Sequence, residues 1–517
     1  MSSIFLASLL ISSFTGIEIE TEIEFGPDTG QNFGTIFEAR DESGRVRIGA
    51  GFVGVYNTRY RTDRNTLQFF VRPAKNDAGE HFEVTPLPRS SSDAGTYPFD
   101  FKGRLFARSY DSDRALRWWN PETKAWEIDA DYSSTGEDRD GQMISVAGKT
   151  LWFDGGTVKY DGEVVLNAPK LGRYYNFYYG NGHLAWYHTN KVDDGGFTKL
   201  YAVPWNPASG EKIDLGNAVA HDLERIGETP FSWGQYREQV LTVSNWGGVY
   251  VFAAGQWKTA LPIKQSGSRQ VYSMLNFGDE LLLAEYPSGH LWVWDGETIA
   301  ERPEWPPKIP NVAGYAREAQ TTTIYRGELF VGVWPWAELW RYDRDEKAWQ
   351  FVRRMFTTPE PSDKVGHPWE AEIMKYNADN GTDIVHNNWG HRITGLIPLE
   401  SAMYLTTSAK GTQSREKRFD WLTDDVWEEY GRPYRVELPG NLSIRVDWQP
   451  EPVKLKFELD KGVMRVYVAG ELAGEAKAPA DAVELEKAGI DTLKFTWGKG
   501  IFGPARMGID QSSEESN

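Results

Sequence analysis

Histidine and tyrosine are the residue types in this sequence best suited to proton transfer. Four of the eight histidines fall in two short stretches, one around His188 and one in the segment HNNWGHR, which contains His386 and His391. An imidazole titrates near neutral pH and can act as a general acid or base, and a tyrosine hydroxyl can also carry a proton. The predicted catalytic residues are His188, His386, His391, Tyr60 and Tyr187. The alternative for each histidine is a structural role.

An arginine-rich segment, GVYNTRYRTDRN, contrasts with the net charge of −18 of the whole chain. It carries Arg59, Arg61 and Arg64. A planar guanidinium can form two parallel hydrogen bonds with a carboxylate or a sulfate. Arg59 and Arg61 are therefore predicted to bind an acidic group of a substrate. The alternative is that they are solvated charges of a turn.

Aromatic, amide and ammonium side chains recur in loops at equivalent positions of a sequence repeat. Aromatic rings stack on the C–H faces of sugars, and polar groups form hydrogen bonds with sugar hydroxyls. The predicted substrate-binding residues of this kind are Asn57, Tyr110, Asn245, Trp246, Tyr286, Trp334, Trp336, Trp389 and Lys410. The alternative is that the tyrosines and tryptophans finish strands and pack between sheets.

Two short patterns recur together along the chain and indicate the elements that would position these residues. The first is aromatic-x-Gly-x-Leu between two strands, as in FDFKGRLF and TIYRGELFV. The second is an alternating strand that ends in an aromatic residue and then Asp or Asn, as in LWVWDG and LWRYD. Each unit is predicted to be a small antiparallel meander. Such a meander cannot bury both of its faces alone, so the units must stack around an axis.

The sequence therefore predicts an all-β protein, with a β-propeller of seven or eight blades over residues 34–438 and a first blade over 34–88. The pattern resembles that of kelch-like and WD-like propellers, although most units lack the kelch double glycine. In a closed ring, equivalent loops share one rim, so the candidate residues are expected at one channel mouth. Residues 355–391 interrupt the repeat and are predicted to be a long insertion.

The two ends of the chain differ from the repeat. Residues 4–14, IFLASLLISSF, have the length of a signal-peptide core and are too short to span a membrane. Residues 1–16 are thus predicted to be a signal peptide, and the protein to be secreted, periplasmic or at the cell surface; the alternative is a buried strand. Residues 440–510 are predicted to form a small C-terminal β module, which a strand over 17–25 could complete, and 511–517 a disordered tail.

Composition excludes several classes of function. The chain has 74 acidic residues against 56 Lys and Arg, which argues against binding of nucleic acid. The absence of cysteine excludes disulfides, Cys-ligated zinc and a thiol nucleophile. The sequence has no phosphate-binding Gly loop, serine nucleophile motif or complete calcium loop. No metal, no cofactor and no membrane insertion are therefore predicted.

The predicted architecture is similar in general plan to secreted bacterial propeller polysaccharide lyases and glycoside hydrolases. This resemblance implies a channel mouth lined by Arg, Tyr, His and Trp that binds or degrades an extracellular polysaccharide. With a uronate polymer, Arg59 or Arg61 would neutralise the carboxylate, and the histidines and tyrosines would transfer protons.

The alternative is a non-catalytic propeller at the cell surface that binds a glycan or a protein partner through its face. Propellers serve both purposes, so the fold does not decide between them. Convergence of Arg, Tyr and His at one mouth would favour an enzyme, and scattered aromatic residues a binding protein.

Overall fold

The computed structural model describes residues 16–25, 34–57, 60–75, 80, 82–109, 115–130, 143–154, 156–192, 194–265, 269–313, 316–411, 414–498 and 506–507. The predicted signal peptide, apart from residue 16, and the predicted tail over 511–517 lie outside these described residues. Within them, the chain forms antiparallel β-sheets with few helices.

Seven of these sheets, counted over the described residues, are meanders along the chain, and we number them 1 to 7. The strands of sheets 1 to 4 are, in order, Thr96–Phe101, Arg104–Ser109, Arg117–Asn120 and Ala125–Ile128; Ile144–Val146, Lys149–Asp154, Thr157–Tyr160 and Glu163–Leu166; Arg173–Gly180, His183–Asn190, Phe197–Pro204 and Val219–Asp222; Pro230–Tyr236, Gln239–Ser244, Val249–Ala253 and Gln256–Leu261. Those of sheets 5 to 7 are Gln270–Phe277, Glu280–Tyr286, Leu291–Trp294 and Ile299–Arg302; Glu318–Tyr325, Glu328–Trp334, Glu338–Asp343 and Ala348–Arg354; Arg392–Leu399, Ala402–Ser408, Pro433–Glu437 and Glu83–Pro86.

The turn between the first and second strands of a sheet explains the recurring glycine of the sequence repeat. In sheet 1, Lys102 and Gly103 have φ of 51° and 72°, and in sheet 6, Arg326 and Gly327 have φ of 54° and 68°. A two-residue turn with both residues in the left-handed region matches the twist of a hairpin, and glycine adopts this region without strain. The aromatic-x-Gly-x-Leu pattern is therefore the sequence of a tight hairpin.

The first and last of these sheets meet, so the meanders surround a central channel. The first strands of sheets 4, 5, 6 and 7 contact each other in order, and the first strand of sheet 7 contacts that of sheet 1. At this closure the Thr394 hydroxyl donates a hydrogen bond to the Thr96 carbonyl. The strand Glu83–Pro86, which precedes sheet 1, pairs with Pro433–Glu437 as the outer strand of sheet 7. The predicted fold class is confirmed: the protein is all-β, and its main part is a β-propeller.

The other two sheets pack face to face and form a β-sandwich from both ends of the chain. Their strands are Ile17–Ile23, Val453–Asp460, Val463–Val468, Glu471–Lys477 and Arg506–Met507 in one sheet, and Gly34–Arg40, Val46–Phe52, Thr66–Val71, Asn441–Arg445 and Lys494–Trp497 in the other. The sheets share one apolar core, in which the ring centroid of Phe457 lies 5.2 Å from that of Phe37 and 5.2 Å from that of Phe69.

This pairing corrects the predicted first blade. The sequence assigns residues 34–88 to the propeller, whereas the strands between 34 and 71 belong to the sandwich and Glu83–Pro86 belongs to sheet 7. Strands of a sandwich and of a propeller blade alternate in the same way, so their periodicity does not distinguish them. The predicted module over 440–510 is one part of this sandwich, and Ile17–Ile23 pairs along its whole length with Val453–Asp460.

The chain between the sandwich strands Val46–Phe52 and Thr66–Val71 enters the propeller channel. We call this segment, residues 53–57 and 60–65 in its described part, the plug. It contacts the first strands of the sheets, which line the channel and which we call the inner strands. Backbone pairing joins Arg61 to Phe99, Tyr56–Asn57 to Ser232 and Trp233, and Val55 to Leu275. The Tyr56 hydroxyl donates a hydrogen bond to the Phe177 carbonyl, and the Thr322 N–H donates one to the Tyr60 hydroxyl. The plug thus touches sheets 1, 3, 4, 5 and 6 from inside the ring.

Helices play a small part in the structure. The α-helices of the described residues are Glu370–Asn380, Asp424–Glu428 and Ala482–Ala488, and the 3-10 helices are Pro207–Ser209, Leu215–Asn217, His386–Trp389 and Ile490–Thr492. The insertion over 355–391 contains the first α-helix and packs Trp369, Ile373 and Trp389 into the core shared with sheets 6 and 7. In the part of the chain that the structure describes, no helix has the length and apolar character needed to cross a membrane.

Candidate functional site

The two ends of the inner strands have different surroundings. The turns between first and second strands face the sandwich, where the Lys102 N–H donates to Asp63 at 2.8 Å and Glu400 forms a backbone bridge with Ser443. The loops between second and third strands lie at the opposite end, which we call the distal face. Backbone bridges connect these loops to the next sheet, namely Trp246 to Arg269, Ser288 to Arg317, Trp336 to His391 and Ser408 to Gly95.

Six side chains converge at the distal face beside sheets 5, 6 and 7. We call them the Trp334 cluster, which consists of Tyr286, Trp334, His367, Glu370, His386 and Lys410. Lys410 Nζ lies 4.2 Å from the ring centroid of Trp334 and 5.4 Å from that of Tyr286. The ring centroids of Tyr286 and Trp334 are 6.5 Å apart, and that of His367 lies 4.8 Å from Trp334. Four predicted site residues therefore meet here, namely Tyr286, Trp334, His386 and Lys410.

Two histidines and a carboxylate form one edge of this cluster. His367 Nδ1 lies 3.4 Å from Glu370 Oε2, and His386 Nε2 lies 3.8 Å from the same oxygen. The two imidazole ring centroids are 5.1 Å apart. Burial, with the adjacent His386, lowers the pKa of His367 to about 4. The imidazole of His367 is therefore neutral at neutral pH.

The insertion between sheets 6 and 7 positions both histidines. His367 and Glu370 flank the start of the helix Glu370–Asn380, and His386 begins the following 3-10 helix. Trp369, which directly precedes this helix, has a left-handed φ of 63°, which is costly for a bulky side chain. Its ring stacks on Trp421 with centroids 4.3 Å apart, so tertiary packing holds this conformation.

A glycine allows the insertion to approach Trp334 closely. A Cβ atom on Gly390 would lie 2.3 Å from Trp334 Nε1, which is too short for any other residue without a shift of the indole. The backbone N–H groups of Lys410 and Gly411 donate to the carbonyl of Asn388, at 3.1 Å each. The end of the insertion and the loop that carries Lys410 are thus joined directly.

The plug holds three predicted site residues, Asn57, Tyr60 and Arg61, inside the channel. The Tyr60 hydroxyl accepts the Thr322 N–H at 3.0 Å, and burial raises its pKa to about 12. Arg61 Nε donates to the Met143 carbonyl at 2.8 Å, and burial lowers the pKa of its guanidinium to about 10. The sequence places these residues at the channel mouth, but they belong to a loop of the sandwich that fills the channel. Arg59 and Tyr110 lie outside the described residues.

Tyr187 and His188 lie in the core around sheet 3 rather than at the distal cluster. The Tyr187 hydroxyl is 3.2 Å from that of Thr242, and His188 Nε2 is 2.7 Å from the Leu171 carbonyl oxygen. Burial raises the pKa of Tyr187 well above its ordinary value and lowers that of His188. Both sides of the strand His183–Asn190 are covered, so alternation does not bring either side chain to an open surface.

Trp336, Trp389 and His391 are interior residues as well. The His391 ring is fully buried and stacks on Phe356 with centroids 3.8 Å apart, and Trp389 packs on Phe419 at 5.2 Å. These side chains fit the packing alternative given for the aromatic residues. Asn245 and Trp246, in contrast, are half-buried in the loop of sheet 4, where the Arg225 guanidinium lies 4.1 Å from the Trp246 ring.

His367 and Glu370 are absent from the residues predicted for the site. The only local signal is the spacing His-x-x-Glu at the start of a helix, which is common and has little specificity. The sequence argued against a metal at His386 and His391 because no third ligand was evident. The structure separates those two histidines and brings His386 to His367 instead.

Two buried carboxylates, Asp63 and Asp100, lie at the sandwich end of the channel. The Thr66 hydroxyl donates to Asp100 at 2.8 Å, and Arg445 pairs with Asp63 at 2.9 Å. Burial and the neighbouring charge of Asp63 raise the pKa of Asp100 to about 7. This carboxyl is therefore protonated in the folded protein under mildly acidic conditions.

Comparison with known proteins gives likenesses of fold alone. No protein-family model matches the chain, and no curated protein matches it. One similar solved structure is the extracellular domain of a hybrid two-component system from B. thetaiotaomicron, with a TM-score of 0.36, 13% identity and coverage of 65% of this chain; the match spans only 40% of that chain. The WD40 β-propeller domain of Doa1 is similar with a TM-score of 0.37 and 9% identity, and the match covers 69% of this chain and 96% of that one. BamB from Moraxella catarrhalis is similar with a TM-score of 0.32 and 13% identity, and the match covers 67% of this chain and 87% of that one.

Proposed function

We propose that the protein binds an acidic extracellular polysaccharide at the Trp334 cluster and does not cleave it. The observation that carries this proposal is the position of the Lys410 ammonium, 4.2 Å from the Trp334 ring and 5.4 Å from the Tyr286 ring. The ammonium can pair with a sugar carboxylate while the partly exposed ring of Tyr286 supports the apolar face of the sugar. Trp334 is 1% exposed, so it supports Lys410 from inside the fold rather than contacting the sugar. Tyr286 and Lys410 are both partly exposed, so a ligand can reach them.

Binding is favoured over cleavage by the distribution of the predicted catalytic residues. Tyr60 and Arg61 are buried in the plug, and Tyr187 and His188 are buried around sheet 3. A base, an acid and a carboxylate-binding cation must lie within hydrogen-bond reach of one sugar to perform β-elimination. Only His386 of the predicted catalytic set lies in the Trp334 cluster. The extracellular location in this proposal depends on the apolar run over 4–14 of the sequence.

The proposal is tested by titrating the full-length protein with uronate polymers and with neutral polymers of similar length, using calorimetry. Wild type should bind a uronate polymer, and Lys410→Gln should weaken that binding about tenfold, which corresponds to about 1.4 kcal/mol. The matched control is Lys456→Gln in the sandwich, because Lys456 Nζ also lies over an aromatic ring, 4.4 Å from Tyr467. Equal affinity of the two variants would remove the Trp334 cluster as the binding site.

Cleavage is tested separately by the ultraviolet absorbance of unsaturated uronates. We expect no increase during incubation of the protein with the polymers that it binds. A sustained increase that disappears in His386→Gln would show a lyase instead and contradict the non-catalytic part of the proposal.

A further inference from the structure

We propose that His367, Glu370 and His386 bind one divalent transition-metal ion, zinc in the first instance. This proposal concerns an edge of the Trp334 cluster but does not depend on polysaccharide binding. The three residues lie on one insertion, and one nitrogen or oxygen from each falls within 4.8 Å of the other two. Two imidazoles and a carboxylate are a common donor set for zinc.

The distances between the donor atoms fit a tetrahedral ion after small movements. Zinc bonds of about 2.0 Å require donor atoms about 3.3 Å apart in a tetrahedron. The separation of His367 Nδ1 from Glu370 Oε2 is 3.4 Å, and that of His386 Nε2 from the same oxygen is 3.8 Å. The donor nitrogens of the two imidazoles lie within 4.8 Å of each other, and rotation of His386, whose side chain is 33% exposed, can supply the remaining adjustment.

A buried imidazole with poorly satisfied nitrogens is the second observation that points to an ion. His367 is 6% exposed; its Nε2 has no hydrogen-bond partner among the described residues, and its Nδ1 has only the contact of 3.4 Å with Glu370 Oε2, which is not aligned as a hydrogen bond. Buried polar atoms are nearly always satisfied, because an unsatisfied one retains the full cost of leaving water. A metal bond from Nδ1 would satisfy one of these nitrogens. The neighbouring Trp334 packs against the ring and limits its rotation.

The carboxylate is already oriented for this role. The N–H groups of Gly366 and His367 donate to Glu370 Oε2 at 2.8 and 3.0 Å, which holds the side chain beside the loop. Hydrogen bonds of this kind orient metal ligands and tune their affinity. Three protein ligands would leave a further coordination position for water or for an oxygen of a bound molecule.

The positive charge of Lys410 should repel a bound metal ion, and this gives a prediction specific to the metal site. The Lys410 ammonium lies over the same Trp334 ring that His367 contacts, and its positive charge acts on the His367 imidazole. Replacement of Lys410 by glutamine should therefore leave zinc binding intact or strengthen it. The same replacement should weaken polysaccharide binding, so the two proposals can fail independently.

The experiment measures zinc bound to the full-length protein after removal of metal with a chelator and dialysis against Zn²⁺. We expect one zinc per chain, and visible absorption typical of a tetrahedral ion when Co²⁺ replaces it. His386→Gln and Glu370→Gln should each weaken the affinity for zinc at least tenfold, in line with the loss of one ligand. The matched control is His290→Gln, because His290 pairs with Glu301 at 2.7 Å on sheet 5, away from the site.

Circular dichroism and a thermal transition close to those of wild type would show that the His386→Gln variant is folded. The proposal would be overturned by the absence of stoichiometric zinc in folded wild type, or by equal zinc affinities of the His386→Gln and His290→Gln variants. Stoichiometric zinc in a protein that binds no polysaccharide would support the metal site while removing the proposed function.

Discussion

The two ends of the propeller channel differ in the surroundings of their buried polar groups. At the sandwich end, Arg72 is fully buried and pairs with Asp345 and, at 2.7 Å, with Asp343. Burial alone would raise the pKa of Asp343, but Arg72 and Arg45 lower it to about 2. Arg72 Nε and Asp100 Oδ1 lack a hydrogen bond there, but both side chains are paired through their other polar atoms. At the distal face, His367 Nε2 and the indole nitrogen of Trp334 are buried without a hydrogen bond to the described residues, and they lie beside partly exposed side chains.

We interpret this difference as one between an end that stabilises the fold and an end that is open to a ligand. Paired charges and the plug fix the sandwich against the ring, so changes there should act on stability. Unsatisfied groups beside partly exposed Lys410 and Tyr286 are the places where a ligand can add contacts, so changes there should act on binding. Measurements of stability on variants of both ends therefore test this difference.

The largest effect is expected for Arg72→Ala. Removal of the Arg72 guanidinium takes one positive partner from each of three carboxylates, Asp343, Glu328 and Asp345. The side chains of Asp343 and Glu328 are fully buried, so water cannot replace the lost partner. Breaking a buried ion pair from one side costs about 3–5 kcal/mol, and we expect a loss of that size in the free energy of unfolding in urea. The control is Arg40→Ala, whose side chain is 33% exposed and which should cost less than about 1 kcal/mol. Similar losses of unfolding free energy in both variants would show that burial of the Arg72 ion pairs does not increase their effect on stability.

The next effect is a pH dependence of stability from Asp100. Its carboxyl has a pKa of about 7 in the folded protein, raised by burial and by Asp63. The unfolded chain releases this proton near pH 4, so the folded state binds more protons between about pH 4 and 7 and stability falls as pH rises through this window. Asp100→Asn should flatten the fall and stabilise the protein at pH 8 by about 2–4 kcal/mol, measured by urea unfolding at several pH values.

Asp63→Asn is the matched control for that change. Asp63 accepts hydrogen bonds from the N–H groups of Asn65 and Lys102, at 3.0 and 2.8 Å, and pairs with Arg445. Loss of its charge should therefore destabilise the protein at pH 8, in the direction opposite to Asp100→Asn. An unchanged pH slope in Asp100→Asn would show that another group causes it.

The smallest effect is expected for Tyr60→Phe. The change removes the hydroxyl that accepts the buried Thr322 N–H, and the unfolding free energy should fall by about 1–2 kcal/mol. Tyr286→Phe, at the distal face, should change stability by less than about 0.5 kcal/mol because the residue is partly exposed. Urea unfolding of both variants tests whether the plug stabilises the ring more than the distal face does.

The structure also shows which features of the site could be predicted from local sequence. Tyr286 and Trp334 end second strands of the repeat and Lys410 follows one, so the repeat placed them at similar positions, and these strand ends do share the distal face. Trp334 is nevertheless buried, as are Tyr187 and Trp336, because the sequence does not reveal which side of a strand a neighbouring sheet covers. His367 and Glu370 could not be predicted, since their partner His386 reaches them only through the path of the insertion.

The local structure follows from the sequence: alternation specified the strands, and paired left-handed turn residues such as Lys102 and Gly103 specified the hairpins. These are interactions between neighbours in the chain, so composition and spacing contain them. In contrast, it was the tertiary structure that assigned the strands between 34 and 71 to the sandwich and placed the plug, which lies between two of them, in the channel. Those choices depend on which exposed edges and apolar faces, far apart in sequence, bury each other best, and periodicity alone carries no information about the partner.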